Sequence, residues 1–202
     1  MRTSRERFRF PLTEGQAYTL LLASYEAEVE ARHRNCILDE QTKQNISSVA
    51  KYLTSDSYKF GMLFCGFCGN GKTTMLKAFQ TSCNFLHNAG KLTGELTGIS
   101  IEDAVAICKT CRDNYDGFRQ LCNRPMFGIE DMGKEPVEVL SFGNVQNPIT
   151  DMLEYRYNEQ LFTVITTNLA TKDIRSRYGD RIADRFNEMF HVISFKNSTY
   201  RK

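Results

Sequence analysis

No apolar run in this sequence approaches the roughly 18–20 residues that cross a bilayer. Its first residues also lack the apolar centre of a secretory leader. A cytoplasmic location without a membrane partner is therefore expected. Charge of one sign is lacking too: 26 Lys and Arg stand against 24 Asp and Glu, a net of +2, which neither demands nor excludes a nucleic-acid partner. Internal repeats and low-complexity tracts are absent, so 202 residues read as one domain, or one domain with a short appendage. The seven cysteines are an odd number, and with no export signal they point to reduced thiols. Cys65/Cys68 and Cys108/Cys111 have the C-x-x-C spacing of zinc ligands. Zinc fits them poorly. Cys65 ends an apolar strand and Cys68 falls inside a glycine-rich loop, while Cys108 and Cys111 fit one turn of a helix as small core residues.

What is present centres on Gly66-Phe67-Cys68-Gly69-Asn70-Gly71-Lys72-Thr73, which satisfies G-x-x-x-x-G-K-[ST] at every fixed position. The preceding run, Phe60-Gly61-Met62-Leu63-Phe64-Cys65, is short and apolar, as a buried parallel strand is. The following run, from Thr73 to His87, carries Met75, Leu76, Phe79, Cys83 and Leu86 on one helical face and stops at Asn88-Ala89-Gly90. Strand, loop and helix form the context that makes this motif a polyphosphate cradle. Glycines let backbone N–H groups close on the phosphates, and the helix N-terminus adds partial positive charge. Gly66, Cys68, Gly69, Asn70, Gly71, Lys72, Thr73 and Thr74 are the expected ATP-binding residues. Lys72 can reach the β- and γ-phosphates, and the Thr73 hydroxyl can ligate Mg²⁺.

A second apolar run, Pro125-Met126-Phe127-Gly128-Ile129, delivers Glu130 and Asp131 at its end, where parallel α/β sheets place their ligands. This is a Walker B position about 60 residues beyond the first motif. Glu130 is expected to hold Mg²⁺ and Asp131 to polarise the attacking water. The usual order is Asp first, and Asp131 is one methylene shorter than a catalytic Glu, so slow hydrolysis is expected. A third apolar strand, residues 161–167, ends at Asn168, placed either to bind the water or γ-phosphate or simply to turn the chain. Arg181 and Arg185 lie four apart in Gly179-Asp180-Arg181-Ile182-Ala183-Asp184-Arg185-Phe186. They read either as surface pairs with Asp180 and Asp184 or as an arginine finger given to a neighbouring subunit.

The remaining expectations are structural. Arg2, Arg5, Arg7 and Arg9 alternate with Phe8 and Phe10, as a mobile tail or, less simply, an arm for DNA phosphates. Thr13 to Gln16 resembles a capping box opening a helix with Tyr18, Leu21, Leu22, Tyr25 and Val29 inward, and Arg32, His33 and Arg34 solvated. A second helix spans residues 40–54. Residues 92–99 suggest a strand, and Ser100-Ile101-Glu102-Asp103 a helix start. Residues 133–147 read as loop and residues 148–158 as a helix with Ile149, Met152, Leu153 and Tyr157 on its apolar face. Two short helices over residues 172–189 and a final strand over 190–195 complete the pattern.

In order, these motifs resemble the AAA+ ATPases, in particular the DnaC-like helicase loaders and the related IstB-like transposition helpers. Residues 66–73, Ile129-Glu130-Asp131-Met132-Gly133, Glu154-Tyr155-Arg156-Tyr157, Thr166-Thr167-Asn168-Leu169 and Gly179 through Arg185 carry the match. The resemblance implies a three-layer α/β P-loop fold with a parallel sheet and no C-terminal lid, an ATPase domain over residues 39–202, and an arm and helix over residues 1–38. It also implies ATP and Mg²⁺ as cofactors, self-assembly into a helix or ring, and single-stranded DNA with a replicative helicase, or a transposase, as partners. Arg185 is the first candidate for the finger and Arg181 the second. A P-loop kinase for small molecules is the competing class, though the sequence offers no obvious lid for it.

Overall fold

The computed structural model describes residues 6–141, 143–197 and 199–200. In chain order the elements are α1 (Glu14–Glu30), α2 (Glu40–Thr54), β1 (Gly61–Gly66), α3 (Lys72–Asn88), β2 (Ser100–Asp103), α4 (Ala104–Asp113), α5 (Tyr115–Asn123), β3 (Met126–Met132), β4 (Val139–Ser141), β5 (Asn144–Gln146), α6 (Pro148–Asn158), β6 (Phe162–Thr167), α7 (Thr171–Tyr178), α8 (Asp180–Met189) and β7 (Phe190–Phe195). Five strands form one parallel sheet in the order β2-β3-β6-β1-β7, and β4 pairs with β5 as a small antiparallel hairpin.

The central strands alternate between two cores, which is what places helices on both faces. Met62 and Phe64 of β1 and Val164 of β6 join α1, α2 and α3 on one side. Leu63, Ile129 and Ile165 join α4, α6 and α8 on the other. The result is a three-layer α/β/α sandwich. No helix among the described residues is long and apolar enough to cross a membrane.

Helix starts follow local chemistry. Thr13 and Gln16 make the reciprocal capping box on α1. The Asp39 carboxylate accepts from the Thr42 N–H at 2.7 Å to open α2. Two expectations are corrected. Residues 92–99 contain turns rather than a strand, and Ser100–Asp103 is the edge strand β2, paired in parallel with residues 127–130. Asp103 caps α4 by accepting from Val105 N at 2.8 Å, so the helix signal there is real but begins three residues later. The stretch after β3 contains the hairpin as well as loop.

The N-terminal arm, over its described residues 6–11, is not a tail. Phe8 and Phe10 are 3% exposed, and Phe8 packs against Phe162 at 4.9 Å between ring centres. Arg9 donates to the carbonyls of Ser55 (2.7 Å) and Lys59 (3.1 Å), and to that of Ser57. Phe10 N donates to Leu53 O at 2.7 Å. With Arg7 donating to Gln160 Oε1 at 2.8 Å and lying 4.9 Å over the Phe60 ring, these contacts replace the mobile-tail expectation for the described part of the arm; Arg2 and Arg5 lie outside the described residues.

Candidate active site

The loop that follows β1 is shaped by its glycines. Gly66 has φ 146° and a Cβ there would sit 2.2 Å from Phe195 O; Gly71 has φ 96° and a Cβ there would sit 2.4 Å from Tyr25 Oη. No other residue type fits either place. Gly71 is the N-cap of α3 and supplies no side chain to it, so the first-turn N–H groups are not consumed by a side-chain cap. Asn70, 1% exposed, donates to Phe195 O at 2.7 Å and ties the loop to the end of β7. Lys72 is folded back into the loop. Its Nζ donates to Gly66 O (2.8 Å), Phe67 O (2.7 Å) and Asn70 Oδ1 (3.1 Å). Burial pushes the Lys72 pKa down, against the opposing pull of Cys68 and Asp131.

A cavity of about 510 Å³ opens over this loop. Cys68, Gly69, Asn70, Gly71, Lys72, Thr73 and Thr74 line it, together with Glu130, Asp131 and Asn168 from the ends of β3 and β6. Of the sequence-predicted loop residues, Gly66 alone serves as the strand end rather than the lining. The strand β3 does not stop at Ile129. It runs on to Met132 through a shift in its pairing with β6, and Asp131 takes φ 57° there. Such a bulge re-aims side chains at a sheet end. The Asp131 N–H donates to Thr166 Oγ1 at 2.9 Å, which fixes the kink. The Asp131 carboxylate is ion-paired with Lys134, whose pKa is raised by that bond. Asn168 Nδ2 lies 3.9 Å from Cys68 Sγ, where the end of β6 adjoins the loop after β1.

A comparison with protein-family models finds no match, and neither does one with curated proteins. Solved structures do match. The DnaC helicase loader superposes with a TM-score of 0.62 at 19% identity, over 86% of this chain and 99% of that one. DnaI gives 0.58 at 17% identity, over 80% and 88%. The replication initiator DnaA, bound to AMPPCP and single-stranded DNA, gives 0.56 at 14% identity over 81% of this chain, which spans 49% of that protein. The fold is the one seen in the DnaC helicase loader and DnaI structures.

Several residues of this cavity carry no signal in the sequence. Arg32 and Arg34, expected in solvent, line the cavity, and Arg32 Nη1 lies 3.4 Å from Thr74 Oγ1. Lys134, Tyr25 and Tyr200 line it too. The loop joining α1 to α2 brings Arg32 and Arg34 there, α1 brings Tyr25, the turn after β3 brings Lys134 and the segment after β7 brings Tyr200, so only tertiary structure reveals them together.

The two arginines of α8 lie apart from the cavity of their own DnaC-like domain. Both meet Glu154 of α6: Arg185 Nη1 at 2.9 Å, as an ion pair outside hydrogen-bond alignment, and Arg181 Nε at 3.2 Å. Asp180 and Asp184, the partners expected from spacing, are instead taken by Arg175. Arg185 also lies 4.8 Å over the Tyr157 ring and is 14% exposed, whereas the Arg181 side chain is 70% exposed.

Proposed function

We propose that this protein is a cytoplasmic ATPase of DNA replication, which assembles into a helix or ring with ATP and places a replicative helicase on single-stranded DNA. The observation that carries the proposal is the convergence of Lys72 and the open α3 N-terminus with Glu130, Asp131 and Asn168 on one cavity of a DnaC-like fold. Two of the matching structures, a helicase loader and an initiator bound to AMPPCP and single-stranded DNA, lend support from similar folds. In this proposal residues 39–202 are the ATPase unit, and residues 1–38 are its N-terminal appendage.

The donor set suits the cofactors. The glycine cradle, which a Cβ would fill, leaves room for phosphates, and the Thr73 hydroxyl with the Glu130 carboxylate offers hard oxygen ligands for Mg²⁺ on the same cavity wall. Bound Mg²⁺ neutralises charge on the β- and γ-phosphates. The chain's own groups do the rest. The N–H groups of residues 69–74 hold the phosphates, and Lys72 exchanges loop carbonyls for the β- and γ-oxygens. Asp131, released from Lys134, takes a proton from the water that attacks the γ-phosphorus. The bond to the bridging oxygen breaks and ADP leaves, with Asn168 orienting the water. Arg185, with Arg181 beside it, acts on the site of a neighbouring subunit.

With ATP at about 100 times Kd, the wild type is expected to gain about 2.7 kcal/mol of stability, roughly 5–10 °C in melting temperature for a domain of this size. Lys72→Ala should abolish that shift, and an unchanged shift would sink the phosphate-loop assignment. Asp131→Asn should keep the shift but lower turnover by about 10²-fold, because the amide cannot accept the proton. Glu130→Gln should instead weaken the Mg²⁺ dependence of binding. Turnover assayed with single-stranded DNA, against a panel of nucleosides, separates the loader from a small-molecule kinase. Capture of a transposase in place of a replicative helicase would favour a transposition helper.

A further inference from the structure

The cavity extends beyond what phosphates need, and one wall of it comes from the far end of the chain. After β7 the chain turns back over the phosphate loop. Tyr200 N donates to Gly69 O at 2.9 Å, inside the loop itself. The Tyr200 hydroxyl donates to Asp39 Oδ2 at 2.6 Å, meets Thr42 Oγ1 at 2.8 Å and accepts from Asn197 Nδ2. Asn197 Nδ2 itself reaches Asp39 Oδ1 at 3.1 Å and Thr42 Oγ1 at 3.1 Å. Thus the backbone of Tyr200 is fixed to the loop and its hydroxyl to the cap of α2. A ring pinned at both ends has little freedom left, and this one borders the cavity. Ile37 and Val29 lie on the same cavity, so an aromatic and aliphatic surface adjoins a cationic phosphate cradle.

A flat apolar face next to a polyphosphate cradle matches the amphipathic shape of a nucleoside triphosphate. Every nucleobase has a π-face, and stacking on an aromatic ring is worth enough to shift affinity by about tenfold or more. We propose that the Tyr200 ring is the face on which the base of the bound nucleotide rests, with Asp39 and Gly69 holding that ring in place. The inference rests on the nucleotide site proposed above and assigns its base end to the segment after β7. It also gives Asp39 two tasks: it caps α2 and it anchors the tyrosine hydroxyl.

The test uses the full chain and two ligands, ATP and inorganic tripolyphosphate, with affinities measured by calorimetry. Tripolyphosphate engages the cradle and lacks a base. Tyr200→Ala is expected to weaken ATP by about tenfold or more while tripolyphosphate stays within about twofold of wild type. Tyr200→Phe keeps the ring, and its ATP affinity is expected to stay within about threefold. Circular dichroism and thermal melts of each variant establish that the fold is retained. If Tyr200→Ala binds ATP as wild type does, the ring is not the base's support and the inference fails. Equal losses of both ligands also overturn it, since Tyr200 then acts on the loop alone. Should the wild type bind neither ligand, the nucleotide site itself is wrong and this inference falls with it; the wild-type arm therefore separates the two failures.

Discussion

ATP turnover by an Arg185→Ala variant is expected to fall by about 10³–10⁵-fold, with ATP binding to the single chain unchanged. The size of the effect follows from where the charge acts. Arg185 and Arg181 do not line the cavity of their own chain; their contact there is Glu154. As a partly exposed ion pair within one chain, that contact is worth about 0–1 kcal/mol and cannot alter turnover by orders of magnitude. A guanidinium offered across a subunit boundary to a transferring phosphoryl group can. Arg181→Ala is the companion experiment. Arg185 is packed over Tyr157 and shielded, while Arg181 projects from the first turn of α8. A loss confined to Arg181→Ala would move the finger one helical turn toward the N-terminus. Mixing Arg185→Ala with Lys72→Ala should recover part of the activity, because some interfaces then pair an intact loop with an intact arginine. Wild-type turnover of both arginine variants at every protein concentration would remove assembly from the mechanism.

Arg156→Ala is expected to destabilise the fold by about 3–5 kcal/mol. Arg156 is fully buried beneath the sheet, 0% exposed. Its Nε donates to Thr163 Oγ1 (2.9 Å), Nη1 to the carbonyls of Cys122 (3.0 Å) and Arg124 (2.7 Å), and Nη2 to Phe162 O (2.7 Å). One guanidinium thus joins α6, the end of α5 and the start of β6. Alanine would leave those acceptors in a dry interior and open a void the size of the side chain. Lysine should not rescue it, because a single ammonium cannot reproduce the planar fork. For a domain of this size the melting temperature should drop by roughly 6–20 °C. A drop below about 2 °C would mean that water or relaxation replaces the network.

The same residue shows what could be read from sequence. The buried positions of α6 include Ile149, Met152, Leu153 and Arg156, a regular inward stripe. Arg156 stands on that stripe, which its charge does not announce, while Tyr157, expected inward, packs half-buried against the same core. Legibility was high where local pattern and tertiary role agree. The apolar runs of β1, β3 and β6 and the glycine spacing of the loop are such cases, because parallel strands buried on both faces have few alternatives. It failed where the partner is distant. Phe8 and Phe10 look solvated among arginines until Phe79 and Phe162 are beside them. The edge strand β2 is half-exposed and short, and its Asp103 carries a helix-cap signal that masks the pairing with β3. Lys134 and Arg32 reach the cavity through loops, whose course no periodicity encodes.

The strand order has a consequence for synthesis. β1, which carries the glycine loop, lies between β6 and β7, both translated long after it. Phe8, translated long before β6, has Phe162 as a ring partner, and Gly69 O waits for Tyr200. A nascent chain therefore exposes the unpaired edges of β1 until β6 and β7 have been translated. Contacts this non-local fold slowly. Products that terminate before β6 should consequently aggregate or recruit holdase chaperones, whereas synthesis of β6 and β7 lets the glycine loop close in one late step.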